Sequence, residues 1–171
     1  MKKILITGGA GFIGLNLAKR LLNEGYKVDL VDNFSRAVQD SDILEIEKNL
    51  NLRLLEINLL NKVELETLDK DYVFIFHLAA IIGVRHVLEK PYSVLSDNTK
   101  MLTNVMDFAK TQKKFSRLFF ASTSEVYAGT LDSFNIKIPT PENTPLTVSN
   151  LSHPRSSYML SKIYGEALCH N

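Results

Sequence analysis

The run Lys3-Ile4-Leu5-Ile6-Thr7, followed at once by Gly8-Gly9-Ala10-Gly11-Phe12-Ile13-Gly14, constrains this chain more than any other feature. A β-branched apolar run ends in glycines and passes into the helical spacing of Phe12, Ile13, Leu17, Leu21 and Leu22, which Gly25 stops. That pattern reads as strand, tight turn and helix. Because a helix intervenes, the next strand, Lys27 to Asp32, must run parallel to the first. Glycines at 8, 11 and 14 meet the three demands of a turn that holds a pyrophosphate. Gly8 makes the bend, Gly11 lets the backbone approach the ligand, and Gly14 lets the helix pack closely on the sheet. The helix start adds unpaired N–H groups and the positive end of its dipole.

The same rhythm continues along the chain. Strands are expected at Leu52 to Ile57, Tyr72 to Leu78 and Arg117 to Ala121, and helices at Ser41 to Asn49, Pro91 to Lys110 and Ser156 to the end. Near-continuous apolar strands such as Tyr72-Val73-Phe74-Ile75-Phe76 suit a parallel sheet covered on both faces. The fold class is therefore α/β, a doubly wound parallel sheet of the Rossmann type, and 171 residues suffice for one domain with a sizeable core. Four of the five prolines fall between Gly129 and Ser156, which reads as a long loop, and loops of that length are commonly lids or binding loops.

A net charge of +1 gives no field to attract nucleic acid or an acidic membrane surface. The longest apolar stretch, Tyr72 to Val84, is broken by His77 and falls short of the roughly 20 residues a membrane helix needs. Neither nucleic acid nor membrane is expected as a partner. The single cysteine, Cys169, allows no internal disulfide and, with a strand at the N-terminus, points to a cytoplasmic location. No metal site is expected.

Asp32 closes the second strand about 20 residues past the central glycine, where a carboxylate accepts hydrogen bonds from ribose hydroxyls and repels a phosphate, favouring NAD over NADP. Asn58, ending the third strand, offers a side-chain oxygen to an adenine amino group or simply forms a turn. Tyr158 and Lys162, four apart on a helix, share a face, so the ammonium is expected to lower the phenol pKa and prepare a general base.

Three motifs occur in one order: Thr7 to Gly14, Ser122-Thr123-Ser124-Glu125-Val126-Tyr127, and Tyr158-Met159-Leu160-Ser161-Lys162. Together they resemble the TGxxGxxG, SSxxVYG-like and YxxxK motifs of extended short-chain dehydrogenases/reductases, in particular the NAD-dependent epimerase/dehydratase family. His77-Leu78-Ala79-Ala80 is similar to a family segment that runs beside the cofactor. The resemblance implies NAD contacts at Gly8, Gly11, Phe12, Ile13, Gly14, Asp32, Asn33, Asn58, Leu59, Leu78, Ala79, Ala80 and Lys162. It implies a catalytic set of Thr123, Tyr158 and Lys162, with Glu125 beside the sugar and Ser122 as the register alternative to Thr123.

The resemblance also implies a nucleotide-sugar substrate and a shared first step, oxidation of the sugar at carbon 4. Ser124-Glu125 stands where 4,6-dehydratases carry Asp-Glu, and the Ser-Thr-Ser-Glu-Val-Tyr spelling is similar to that of uronate decarboxylases, although Ala128 replaces a usual glycine. The leading expectation is 4-epimerisation, which demands least of these residues. A uronate decarboxylase using Glu125 is the enzymatic alternative, and a non-catalytic NAD-binding module the other. Family members are about twice this length. A last sheet strand and a C-terminal substrate domain are thus expected to be absent from residues 1–171, with the full-length form a homodimer and the isolated piece inactive.

Overall fold

Five strands, β1 (Lys3–Thr7), β2 (Lys27–Asp32), β3 (Leu52–Glu56), β4 (Tyr72–His77) and β5 (Arg117–Phe120), form one parallel sheet in the order β3-β2-β1-β4-β5. The computed structural model describes residues 1–36 and 41–171. Every expected strand is present. Three end one residue early, yet the ladder runs on for one bond: Ile57 N–H donates to Asp32, Leu78 N–H to Thr7 and Ala121 N–H to His77.

The strand order reverses direction between β1 and β4, since the chain builds outward from β1 through β2 and β3 and then returns to its other side. In a doubly wound sheet this switch point, at the carboxyl ends of the strands, is where ligands bind. The glycine turn lies directly there, between β1 and helix α1 (Phe12–Asn23). Ile4, Ile6, Val28 and Leu30 are fully buried, and Leu15, Ala18 and Leu21 of α1 cover them, which is why the helix carries its apolar residues at that spacing.

At the opposite, amino ends of the strands sits a network of charge. Asp29, almost fully buried, accepts from Arg53 through both oxygens, from the Tyr72 hydroxyl and from Lys3; Asp69 pairs with Arg53 at 2.9 Å and with Lys3. Burial, followed by the hydrogen bond to Asp29, pushes the Tyr72 phenol well above its usual pKa, and the hydrogen bond from Lys3 holds Asp69 below the ordinary carboxylate range.

The chain groups into two compact units, where the sequence reads as one domain: the sheet unit, Met1–Ala80 with Lys100–Ala121, and a helical unit, Ile81–Thr99 with Ser122–Asn171. The sheet unit also holds α2 (Ser41–Ile46), shorter than expected, and α3 (Lys62–Glu66), which was not expected and which Asn61 caps by accepting from Val63 N–H. Helix α5 (Pro91–Lys110), as expected, contributes to both units.

The helical unit contains α4 (Val84–Glu89), a 3₁₀ turn (Ser124–Tyr127), α6 (Ala128–Ser133) and α7 (Ser156–His170). The expected loop from Gly129 therefore starts only after Ser133. Its far part is tied back to α6: Thr130 donates to the Pro145 carbonyl at 2.7 Å, and a Cβ on Gly129 would come within 2.0 Å of the Thr147 carbonyl oxygen. Only glycine fits there, a packing demand between segments distant in sequence. Among the described residues no helix is long and apolar enough to cross a membrane.

Candidate active site

The three turn glycines are there for different reasons. Gly8 has φ +67°, a left-handed backbone that side chains rarely adopt, and a Cβ on it would lie 2.7 Å from the Ala79 nitrogen. A Cβ on Gly14 would meet Gly8 O and Gly9 Cα at 2.7 Å. Both are demanded by the fold itself. Gly11 is less constrained: its φ is −78°, and a Cβ would meet only the Gly8 carbonyl oxygen, at 3.3 Å. Glycine at 11 is thus the least demanded of the three by the fold, since a Cβ there needs only a shift of a few tenths of an ångström at one contact. Gly11 also caps α1 without a side chain, and the first helical bond is Leu15 N–H to Gly11 O. The N–H groups of Phe12, Ile13 and Gly14 precede that bond, as the donors of a helix's first turn do. The Phe12 and Ile13 side chains are exposed.

Asp32 sits at the carboxyl end of β2, where its two oxygens accept from Ala10 N–H at 3.2 Å and Phe34 N–H at 3.0 Å. Each oxygen keeps a lone pair for a further donor, and the first bond ties the carboxylate to the glycine turn. Asn33 accepts from Ser35 N–H, and the Asn58 side-chain oxygen accepts from Leu60 N–H at 3.0 Å. The turn-forming role is thus the one Asn58 plays in this conformation. Leu59 is buried, and its carbonyl accepts from Asn104.

His77 is also buried, with Nδ1 2.8 Å from the Thr7 hydroxyl, which accepts in turn from Ala79 N–H at 3.4 Å. It is a satisfied strand-end histidine. This short chain of bonds sets the Leu78-Ala79-Ala80 backbone against Gly8, across the switch point.

The candidate catalytic residues all fall in the helical unit. Thr123 caps the 3₁₀ turn by accepting from Glu125 N–H at 3.3 Å, which leaves its own proton to donate. Tyr158 lies on the first turns of α7, and the Lys162 ammonium nitrogen stands 5.7 Å from the centre of its ring. Lys162 is only 4% exposed, and burial draws its pKa down to about 8. Ser122 is engaged elsewhere, donating to the Glu166 carboxylate on α7.

The expected lowering of the Tyr158 pKa is not found. The phenol is raised, first by burial and then by the negative charge of Glu125, while the Thr123 hydroxyl pulls it part of the way back. The reason is geometric. Half-burial of the ring is the larger cause, and the Glu125 carboxylate, facing the phenol, adds to it.

Three residues of this unit escaped the sequence reading. Arg155 reaches Glu125 Oε1 at 3.5 Å. Its signal was present, since it stands three residues before Tyr158 and so shares that helical face. Glu166 lies four residues past Lys162 and could have been found in the same way. Asn98 gave no signal. It holds Ile81 from both sides, accepting from its N–H at 2.7 Å and donating to its carbonyl at 3.0 Å, and it approaches the Ser161 hydroxyl at 3.5 Å. A separate cavity of about 460 Å³ under the proline-rich loop is lined by residues including Phe134, Ile136 and Lys137, and by none of the candidate catalytic residues.

The profile of the NAD dependent epimerase/dehydratase family matches residues 4–171. A UDP-N-acetyl-alpha-D-glucosaminuronate decarboxylase of Bacillus cytotoxicus is 35% identical over 98% of this chain and 49% of its own length. A UDP-glucuronate 4-epimerase of Thermodesulfobacterium geofontis is 33% identical over 94% of this chain and 52% of its own. Among solved structures, a UDP-galactose 4-epimerase superposes with a TM-score of 0.77 at 32% identity, covering 98% of this chain and 50% of that one. The chain spans about half the length of the relatives it matches.

Proposed function

We propose, because this chain belongs to the NAD dependent epimerase/dehydratase family, that it supplies the cofactor-binding and proton-transferring residues of an enzyme that remodels a nucleotide-linked sugar through a transient 4-keto form. The observation that carries this reading is the grouping of Thr123, Tyr158 and Lys162 in one unit, with Thr123 acting directly on the Tyr158 phenol. The glycine turn, the first N–H groups of α1 and the Asp32 carboxylate fit a dinucleotide, with Asp32 excluding a 2′-phosphate.

When bound, NAD supplies the hydride acceptor. The Tyr158 phenolate takes the proton of the sugar's 4-hydroxyl, and Thr123 donates a hydrogen bond to the same oxygen. Lys162, buried beside the Tyr158 ring, is the nearest cation on the same helix face, and the Thr123 hydroxyl is the group that draws the phenol pKa down. The phenol is raised by burial and by Glu125, so its base form gains population as pH rises.

The sugar is a uronic acid in this reading, the class that both sequence relatives are named for. Of the two fates open to a 4-keto uronate, 4-epimerisation needs only re-orientation of the sugar and hydride return, and it is the reading taken here. Decarboxylation is the second reading, favoured by the negative charge of Glu125 against Tyr158. The test is product analysis with NAD-loaded protein and UDP-glucuronate, in the longest form the coding sequence supplies. The 4-epimer is expected, carbon dioxide would reverse the ranking, and absence of either product would remove the uronate reading.

A further inference from the structure

The pair formed by Arg155 and Glu125 is loosely made for a pair at a reaction centre. It is a single contact at 3.5 Å between side chains that are 54% and 37% exposed. Such a pair contributes little to stability, because water screens it and holding two side chains in one geometry costs entropy. Giving it up is therefore cheap for the protein. A guanidinium presents a fork of donors that matches both oxygens of a carboxylate, and the contact with Glu125 uses only one nitrogen and one oxygen.

The position of Arg155 gives this spare capacity a direction. It immediately precedes α7, its backbone is already helical at φ −64° and ψ −22°, and Met159 N–H donates to its carbonyl. Arg155, Tyr158 and Lys162 therefore follow one another along a single helical face, at i, i+3 and i+7. In a hexuronate the carboxyl carbon hangs from carbon 5, the neighbour of the carbon whose hydroxyl Tyr158 would serve. A sugar that presents its 4-hydroxyl to Tyr158 would carry its carboxylate carbon, two carbons from carbon 4, toward the helix face that Arg155 shares with Tyr158. A neutral hexose has only a hydroxyl there, with no charge to draw Arg155 away from Glu125.

We propose that Arg155 is a specificity-determining residue, exchanging Glu125 for the carboxylate of the nucleotide-linked uronate and so selecting that class over neutral sugars. The assignment rests on the uronate reading above. Glu125 has two effects in the free protein: it occupies Arg155, and its own charge opposes a second carboxylate. Substitutions at the two positions must then act in opposite directions on uronate binding. A purely structural pair would move both in the same direction.

The test is calorimetric titration of NAD-loaded protein, in the longest form the coding sequence supplies, with UDP-glucuronate and with UDP-glucose. Arg155→Met is expected to weaken UDP-glucuronate about 10- to 100-fold, the range for losing a charge-assisted pair, and to leave UDP-glucose within about twofold. Arg155→Lys should recover part of the loss. Glu125→Gln should tighten UDP-glucuronate by a few-fold relative to UDP-glucose. Equal weakening of both sugars by Arg155→Met, or weaker uronate binding relative to UDP-glucose in Glu125→Gln, would overturn the assignment. Wild-type protein that binds UDP-glucose but not UDP-glucuronate would overturn the uronate reading itself, and the role of Arg155 with it.

Discussion

The sheet unit and the helical unit are held by different forces. In the sheet unit Ile4, Leu5, Ile6, Val28, Leu30 and Ile75 are fully buried, and each such side chain contributes about 1.5–3 kcal/mol. In the helical unit the buried side chains include Thr130, Ser156, Ser157, Ser161 and Lys162, alongside Val94, Val126 and Met159. Its geometry is fixed largely by hydroxyls bonded to backbone: Ser156 to the Asn150 carbonyl at 2.5 Å, Ser157 to that of Pro154 at 2.7 Å and Thr130 to that of Pro145. Each such bond is worth about 0.5–1.5 kcal/mol net. One unit is a robust scaffold that carries the glycine turn proposed to hold the dinucleotide. The other gathers polar side chains from distant segments, where small displacements cost chemistry before they cost the fold.

Tyr158→Phe should separate the two most strongly. In the longest form of the protein, steady-state turnover on a nucleotide sugar is expected to fall about 10²- to 10⁴-fold, the usual contribution of a general base, while the thermal midpoint stays close to wild type. Near-normal turnover would remove Tyr158 from the mechanism. Asp29→Ala acts on the scaffold instead. It leaves the Tyr72 hydroxyl buried without its acceptor and Arg53 without its bidentate partner, a loss of about 3 kcal/mol. Urea melts of the 171-residue chain measure it, and an unchanged midpoint would show that the network is ornamental.

The smallest effect is on pH. Glu125 raises the Tyr158 pKa, so Glu125→Gln removes a nearby negative charge and lets the phenol ionise more easily. The alkaline rise of kcat/KM should therefore move to lower pH, by less than about one unit. A shift to higher pH would show that Glu125 assists ionisation rather than opposing it.

The sheet unit was legible because its rules are local. An apolar run ending in Gly8 specifies strand and turn within a few residues, and period and length specify α1 and β2. Its misses were short helices: α3 has five residues, too few for periodicity to register, and is set instead by the Asn61 cap. In the helical unit Thr123, Tyr158 and Lys162 were named from the family motifs they resemble, but their electrostatics could not be read from the sequence. The phenol pKa depends on how deeply the ring is buried and on where Glu125 and Thr123 point, none of which the four-residue spacing to Lys162 fixes. Gly129 read as loop because its reason for being glycine, the Thr147 carbonyl, lies 18 residues along the chain.

The division of labour is tested most directly at Gly11, of glycines 8, 11 and 14 the one the fold demands least. NAD affinity and thermal midpoint should be measured together for wild type, Gly11→Ala and Tyr158→Phe. The account predicts that Gly11→Ala weakens NAD by about 10-fold or more, a cost of at least ~1.4 kcal/mol, with little change in midpoint, and that Tyr158→Phe leaves both nearly unchanged. Full NAD affinity in Gly11→Ala would contradict it, because the glycine turn would then not be where the dinucleotide sits.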